Sequence, residues 1–163
     1  MAGKQHIVYG KNKMKRATRP LERIHSDTSG MLPLGICDSR YFILFIDDFT
    51  RYVWVYFLKT QSAPEICQVF RHFRALVELQ TGLRIMIFRC DNAKGEYNHV
   101  EFKSCLADIS KGVIQYEPAP LYCQNMNGVS ERMMRTIGEM ARSSLADSGL
   151  DSPQMWKKHL TRV

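Results

Sequence analysis

The chain has 163 residues, 45% of them hydrophobic and 10% aromatic, which is enough to bury one sizeable core and too little for two. No stretch approaches the roughly eighteen consecutive apolar residues of a membrane helix, and the N-terminus lacks the apolar run of a secretory signal. These absences argue against a membrane protein and a secreted protein, and we expect one soluble, intracellular domain without a membrane partner.

The cysteines are widely spaced, contain no Cys-x-x-Cys pair and are odd in number. This pattern fits neither a disulfide framework nor a zinc ribbon. We therefore expect all five to be small buried apolar residues: Cys37, Cys67, Cys90, Cys105 and Cys123.

The net charge of +7 is concentrated at the N-terminus, where residues 1–21 contain no acid and six basic residues: Lys4, Lys11, Lys13, Lys15, Arg16 and Arg19. A basic segment of this kind suits a polyanion such as nucleic acid, because neutralised phosphates release their condensed counterions. We predict a flexible basic arm over residues 1–20 and a folded domain over residues 21–163. A solvated chain end without a ligand is the alternative.

The first predicted elements of the domain are strands. Residues 21–27 alternate loosely between apolar and polar and are closed by Thr28-Ser29-Gly30, which places Asp27 near the end of a strand. Residues 41–46 and 52–58 are strongly β-prone, and residues 47–51 form a tight connection between them. These two runs predict a β-hairpin.

The middle of the chain alternates helices with strands. Residues 63–80 have apolar residues at helical spacing, with Ser62 placed to cap the start and Thr81-Gly82 to end the helix. A strand over residues 84–91, a shorter helix from about 99 to 108 and a strand over 113–116 follow. This alternation predicts a layered α/β fold.

The last part of the chain is predicted to contain a loop and two helices. Residues 117–128 have no apolar period, which indicates a long loop suited to mobility and substrate contact. A helix begins near Val129, with one apolar face and with Glu131, Arg135 and Arg142 on the other face. Pro153 can begin a final amphipathic helix.

Three acids in this arrangement could hold divalent metal ions. Asp27 and Asp91 each end a predicted strand, and Glu131 lies in the first turn of a helix, so the three side chains could meet at one edge of a sheet. Mg²⁺ prefers carboxylate oxygens, and a pair of ions can catalyse phosphoryl transfer. On the residues alone, however, an aspartate ending a strand is more often a turn former, and Glu131 could simply pair with Arg135 one helical turn later.

Four sequence blocks, in order, resemble the integrase catalytic core of copia-type LTR retrotransposons between about Gly10 and Leu160. The blocks are residues 24–27, residues 40–52, residues 88–92 with 95–97, and residues 127–132. The resemblance implies an RNase H-like fold, a mixed five-stranded sheet flanked by helices. It also implies that Asp27, Asp91 and Glu131 are the catalytic, metal-binding residues and that the cofactor is a pair of Mg²⁺ or Mn²⁺ ions.

The resemblance implies an activity as well: trimming the 3′ ends of retroelement DNA and joining them to target DNA in the nucleus, by a homo-oligomer. The proposed contacts to DNA phosphates are Lys11, Lys13, Lys15, Arg16, Arg132 and Arg135.

The other polar residues of these blocks have simpler interpretations beside the functional ones. Asp47 and Asp48 more readily form the hairpin turn or pair with Arg51 than bind metal. Four residues are candidates to support or line the site: His25, Asn92, Glu96 and Asn127. The simpler interpretation of His25 is a structural role, and Asn127 with Gly128 is best placed to cap the helix that carries Glu131.

The sequence also departs from the resemblance. The interval between Asp91 and Glu131 holds 39 residues, which is longer than is usual for the family, and residues 124–126 replace its Pro-Gln-Gln. Lys4 and Ile7 stand where the last cysteine pair of the usual upstream zinc-binding domain would fall. We therefore expect a catalytic core that stands without the usual zinc-binding domain and C-terminal DNA-binding region. Two alternatives therefore stay open: a degenerate or domesticated domain that binds nucleic acid or protein without catalysis, and an RNase H-like nuclease.

Overall fold

A computed structural model describes residues 16–33, 38–91, 100–107, 112–119 and 128–147 of the chain. The elements, in chain order, are β1 (Arg23–Thr28), β2 (Tyr41–Asp47), β3 (Val53–Leu58), α1 (Ala63–Thr81), β4 (Ile87–Asp91), α2 (Val100–Leu106), β5 (Gln115–Ala119) and α3 (Gly128–Asp147). Among these residues no helix is both long and apolar enough to cross a membrane.

The strands form a single mixed sheet in the order β3-β2-β1-β4-β5. β1 pairs with β2 and β2 with β3 in antiparallel fashion, whereas β1 and β5 flank β4 as parallel neighbours. The predicted α/β fold, a five-stranded mixed sheet flanked by helices, is therefore confirmed.

One face of the sheet packs against α1 and α2 through a cluster of aromatic side chains. Phe45 of β2 is fully buried and stacks on Phe73 of α1, with ring centroids 4.3 Å apart. Phe70, Phe88 and Phe102 bring α1, β4 and α2 into the same cluster. Because successive strand residues point to opposite faces, this core takes alternate positions of β2 and β4.

The other face of the sheet lies against α3. Ile137 and Ala141 of the helix pack against Phe42, Leu44 and Ile46 of β2. These contacts, together with contacts between α3 and β1, hold the helix that carries Glu131 on the same face of the sheet as the odd-numbered residues of β1.

The ends of α1 follow the prediction, with one difference. Gly82 lies beyond the helix at φ 68° and donates its backbone N–H to the carbonyl of Glu78. Ser62 occupies the N-cap position with extended backbone, but its hydroxyl makes no capping hydrogen bond. Instead, the Glu65 carboxylate accepts the backbone N–H groups of Lys59 and Thr60.

The boundary between the last strand and the following loop was predicted wrongly. The predicted loop began at residue 117, whereas β5 continues to Ala119 and pairs with β4 as far as Asp91. Pro118 lacks a backbone N–H, but β5 is an edge strand, where a proline costs the sheet little. The rest of that loop and the predicted helix from Pro153 lie outside the described residues.

The prediction for the cysteines is confirmed where the structure describes them. Cys67, Cys90 and Cys105 are buried and carry free thiols. Cys37 and Cys123 lie outside the described residues.

Candidate metal and nucleic-acid site

Asp27 and Asp91 occupy adjacent backbone positions at the carboxyl ends of two neighbouring parallel strands. Ser26 of β1 pairs with Cys90 of β4, so the next residues along the two strands are the two aspartates. The Asp27 side chain is buried, and its Oδ1 accepts the backbone N–H of Thr28 at 2.8 Å. The side chain of Asp91 lies outside the described structure.

The strand end that carries Asp27 is fixed by a side chain from the segment before α1. The amide nitrogen of Gln61 donates to Thr28 Oγ1 at 3.1 Å and to the carbonyl of Ser29 at 2.9 Å. Because these bonds follow directly after Asp27, they restrict the movement of its backbone.

Glu131 lies in the first turn of α3 and is exposed to solvent. Its neighbour Ser130 is fully buried, so the first turn is anchored to the body of the domain. Among the described residues, Glu131 forms no ion pair with Arg135. Among the described side chains, which exclude that of Asp91, no three His, Cys, Asp or Glu residues are grouped closely enough to hold a metal ion.

His25, the residue considered as a support for Asp27, bonds in another direction. Its Nε2 lies 3.0 Å from Oδ1 of Asp48, and its Nδ1 has no hydrogen-bond partner among the described residues. Burial lowers the pKa of His25, and the nearby Asp48 carboxylate opposes that shift only in part. The contact therefore favours a structural histidine that ties β1 to the hairpin turn.

Asp47 and Asp48 behave as the simpler interpretation predicted. Asp47 accepts the backbone N–H and hydroxyl of Thr50 across the turn, at 2.8 and 2.6 Å. Asp48 Oδ1 accepts a hydrogen bond from Arg51 at 3.0 Å. Turn formation and pairing with Arg51 are thus confirmed for these two aspartates.

A buried arginine and a half-buried glutamate on the same face escaped the sequence analysis. Arg89 of β4 forms an ion pair with Glu117 of β5, and Glu117 also contacts Arg23 of β1 at 3.3 Å. Its position could have been noticed, because Arg89 lies two residues before Asp91 and therefore on the same face of β4. The misplaced loop boundary hid it, since Glu117 was assigned to the loop.

The predicted DNA contacts are only partly described. Arg132 and Arg135 are exposed on α3, and Arg132 lines a cavity of ≈ 240 Å³ together with Arg51, Val129, Met133 and Thr136. Arg16 instead donates to the carbonyl oxygens of Asp48 and Phe49, so residues 16–20, the end of the predicted arm, are held by the fold. Outside the described residues lie Lys11, Lys13, Lys15, Asn92, Glu96 and Asn127.

No protein-family model matches the chain. It is 40% identical over 144 residues, 88% of its length, to the retrovirus-related Pol polyprotein from transposon TNT 1-94 of Nicotiana tabacum. In Arabidopsis thaliana, the corresponding polyproteins from transposons RE2 and RE1 are 33% and 34% identical over 90% and 82% of the chain. The chain spans about a tenth of the length of these relatives.

Two solved structures share its fold at 16% sequence identity. One is the simian T-cell lymphotropic virus intasome in complex with PP2A regulatory subunit B56 gamma, with a TM-score of 0.70 over 90% of this chain and 49% of that one. The other is the HTLV-2 integrase catalytic core domain in complex with magnesium, in a trimeric form, with a TM-score of 0.63 over 90% of this chain and 84% of that one.

Proposed function

Since this chain is homologous to the integrase region of copia-type retrotransposon Pol polyproteins and has the RNase H-like fold of integrase catalytic cores, we propose that it cuts and joins DNA strands with the help of divalent metal ions. In the proposed reaction, water first attacks a phosphodiester near the end of the element DNA. The new 3′-hydroxyl then attacks a phosphodiester of the target DNA.

The adjacency of Asp27 and Asp91 at the ends of β1 and β4 carries this proposal. Carboxylate oxygens are the ligands that Mg²⁺ and Mn²⁺ prefer, and two carboxylates from neighbouring strands with a third from α3 are enough for a pair of ions. Asp27, Asp91 and Glu131 would hold these ions. When bound, two ions lower the pKa of an attacking oxygen and offset charge on the phosphate and the leaving oxygen.

The protein's own contribution is to present and orient these carboxylates. The Thr28 N–H fixes one oxygen of Asp27, and Gln61 fixes the strand end behind it. The packing of Ile137 and Ala141 on β2 holds α3 on this face, from which Glu131 would reach the proposed site. Preorganised carboxylates reduce the ordering that metal and DNA must impose.

Exposed cations would bind the DNA backbone without reading its sequence. Arg132 and Arg135 lie in α3 one and four residues after Glu131, and the basic residues of the N-terminal arm would add further phosphate contacts. The partners we propose are element DNA ends, target DNA and further copies of this chain. An intasome and a trimeric integrase core among the structural neighbours support oligomerisation, and the nucleus is the proposed place of action.

The test is strand transfer on oligonucleotide duplexes with Mg²⁺ or Mn²⁺, comparing the wild type with Asp27→Asn and Asp91→Asn. Each variant removes one carboxylate charge and should lower the rate by about 100-fold or more. Asp38→Asn is the matched control, because Asp38 is exposed and its ion pair is with the equally exposed Lys59, at 3.7 Å. Full activity of Asp91→Asn would contradict the proposal.

A non-catalytic nucleic-acid-binding domain is the second candidate, because the interval between Asp91 and Glu131 is lengthened and residues 124–126 replace the Pro-Gln-Gln of the family. Calorimetry separates the two candidates. A chain that binds duplex DNA but takes up no Mn²⁺ at millimolar concentration would be a binding domain. Cleavage of RNA–DNA hybrids in preference to duplex DNA would instead indicate a nuclease.

A further inference from the structure

Three polar residues, one each from β1, β4 and β5, lie side by side across the sheet. His25 of β1 pairs with Arg89 of β4, which in turn pairs with Glu117 of β5. Asp27 and Asp91 lie two residues further along β1 and β4. Because side chains alternate along a strand, His25 and Asp27 project from the same face of the sheet.

The two charges of this row hold each other. Arg89 is almost completely buried, and its Nη2 lies 2.5 Å from Oε1 of the half-buried Glu117. The other oxygen of Glu117 accepts from Nε of Arg23 at 3.3 Å, so one carboxylate ties β5 to both β4 and β1. The three strands are thereby joined directly beneath the proposed metal site.

Burying the arginine of this ion pair costs desolvation that an apolar residue at position 89 would avoid. Stability is therefore a weak explanation for an arginine at position 89. The Arg89 guanidinium carries a permanent positive charge and lies two residues before Asp91 on β4. Its repulsion of a cation bound at the site remains significant, because a partly buried environment screens charges less than water does.

We propose that Arg89 and Glu117 are positioning residues that set the electrostatic potential at the metal site: Arg89 limits how tightly the site holds a cation, and Glu117 offsets Arg89. This inference rests on the proposed function. The two charges should therefore affect cation affinity in opposite directions. Loss of the arginine charge strengthens cation binding, whereas loss of the carboxylate charge weakens it. A purely structural pair would weaken cation binding whichever member is lost.

The test is calorimetric titration of the 163-residue chain with Mn²⁺ alone, with thermal unfolding of each variant recorded alongside. Arg89→Met removes the charge but keeps an apolar stem, and should tighten Mn²⁺ binding about three- to tenfold; Glu117→Gln should weaken it by a similar factor. Arg89→Lys keeps the charge and should bind Mn²⁺ as the wild type does. Glu101→Gln, at an exposed position of α2, is the matched control and should leave the affinity unchanged.

The outcomes separate the two proposals. If the wild type binds no Mn²⁺, both are overturned. If it binds Mn²⁺ but both charge-removing variants weaken binding, or neither changes it, only the role of Arg89 and Glu117 is overturned. Should Arg89→Met fail to fold, Arg89→Lys and Glu117→Gln decide together. Wild-type affinity of Arg89→Lys with weakened binding of Glu117→Gln supports the inference, and any other combination overturns it.

Discussion

His25 of β1 and Asp48 of the β2–β3 turn (residues 48–52) are joined by a buried contact of 3.0 Å between Nε2 and Oδ1. Asp48 also accepts the backbone N–H of Ala17 at 2.7 Å and hydrogen bonds from Arg51 and Arg23 at 3.0 and 3.4 Å. A single carboxylate thus connects the segment before β1, the strand itself and the hairpin turn.

We expect Asp48→Ala to lower the free energy of unfolding by about 3 kcal/mol, because it leaves the buried Ala17 N–H and His25 and two partly buried arginines without their acceptor. Urea unfolding followed by circular dichroism measures the change. Glu139→Ala, at an exposed position of α3, should change it by less than about 0.5 kcal/mol. An equal effect of the two substitutions would contradict the central role of Asp48.

The same carboxylate should make stability depend on pH. Burial acts to raise the pKa of Asp48, but the Ala17 N–H, His25 and the Arg51 charge outweigh it, and the pKa is lowered from 3.8. A lowered folded-state pKa means that the contribution is complete above the unfolded value and is lost as the pH falls through the folded one. The stability gap between wild type and Asp48→Asn should therefore narrow from pH 5 to pH 3. If the gap widened as the pH falls from 5 to 3, the pKa of Asp48 would be raised by folding rather than lowered.

Much of the fold was predictable from residue type and from apolar spacing. Residues 41–46 are strongly β-prone and are buried against helices on both faces of the sheet, and the helical spacing of apolar residues predicted α1 nearly to the residue. The end of β5 was not predictable from local propensity. The residue types at 117–119 are typical of a loop. In the structure Pro118 pairs with Cys90, so tertiary contacts with β4 extend the strand.

The candidate site was predictable only in outline. Strand-end placement suggested that Asp27 and Asp91 would be neighbours, and their backbone positions are adjacent. The direction in which His25 bonds could not be read from the sequence, because Asp48 lies 23 residues away and reaches it only through the antiparallel register of β1 and β2.

The aromatic core should be intolerant of truncation. Phe45 is fully buried, stacks on Phe73 and makes edge contacts with Phe70 and Phe88. We expect Phe45→Ala to cost about 3–5 kcal/mol, because the lost contacts leave a cavity that a five-stranded sheet cannot collapse around. Phe49→Ala, in the exposed turn, should cost under about 1 kcal/mol in the same urea titration. Similar midpoints for the two variants would contradict this view of the core.

Two glycines provide a matched test of the end of α1. Gly82 lies at φ 68°, where a side chain is strained even though no atom blocks it, whereas Gly30 has no such backbone and equally open surroundings. We expect Gly82→Ala to destabilise the chain by about 1 kcal/mol and Gly30→Ala to be neutral or slightly stabilising. Thermal unfolding of both variants measures the difference, and a neutral Gly82→Ala would show that α1 ends without a left-handed cap.

The buried thiol of Cys67 should be almost inert in the folded chain. Burial, with a smaller effect from neighbouring Cys105, raises the pKa of Cys67 to about 11. At about pH 8 only about one molecule in a thousand then carries the reactive thiolate, compared with about one in ten for an ordinary thiol, and burial also blocks the reagent. Alkylation with iodoacetamide, read by peptide mass spectrometry, should therefore be more than about 100-fold slower at Cys67 in buffer than in concentrated urea.

The urea sample controls for the intrinsic reactivity of the peptide. Rapid labelling of Cys67 while the circular dichroism stays native would mean that α1 and α2 open readily, because the thiol lies between α1 and α2, where Cys105 contacts the Cys67 carbonyl.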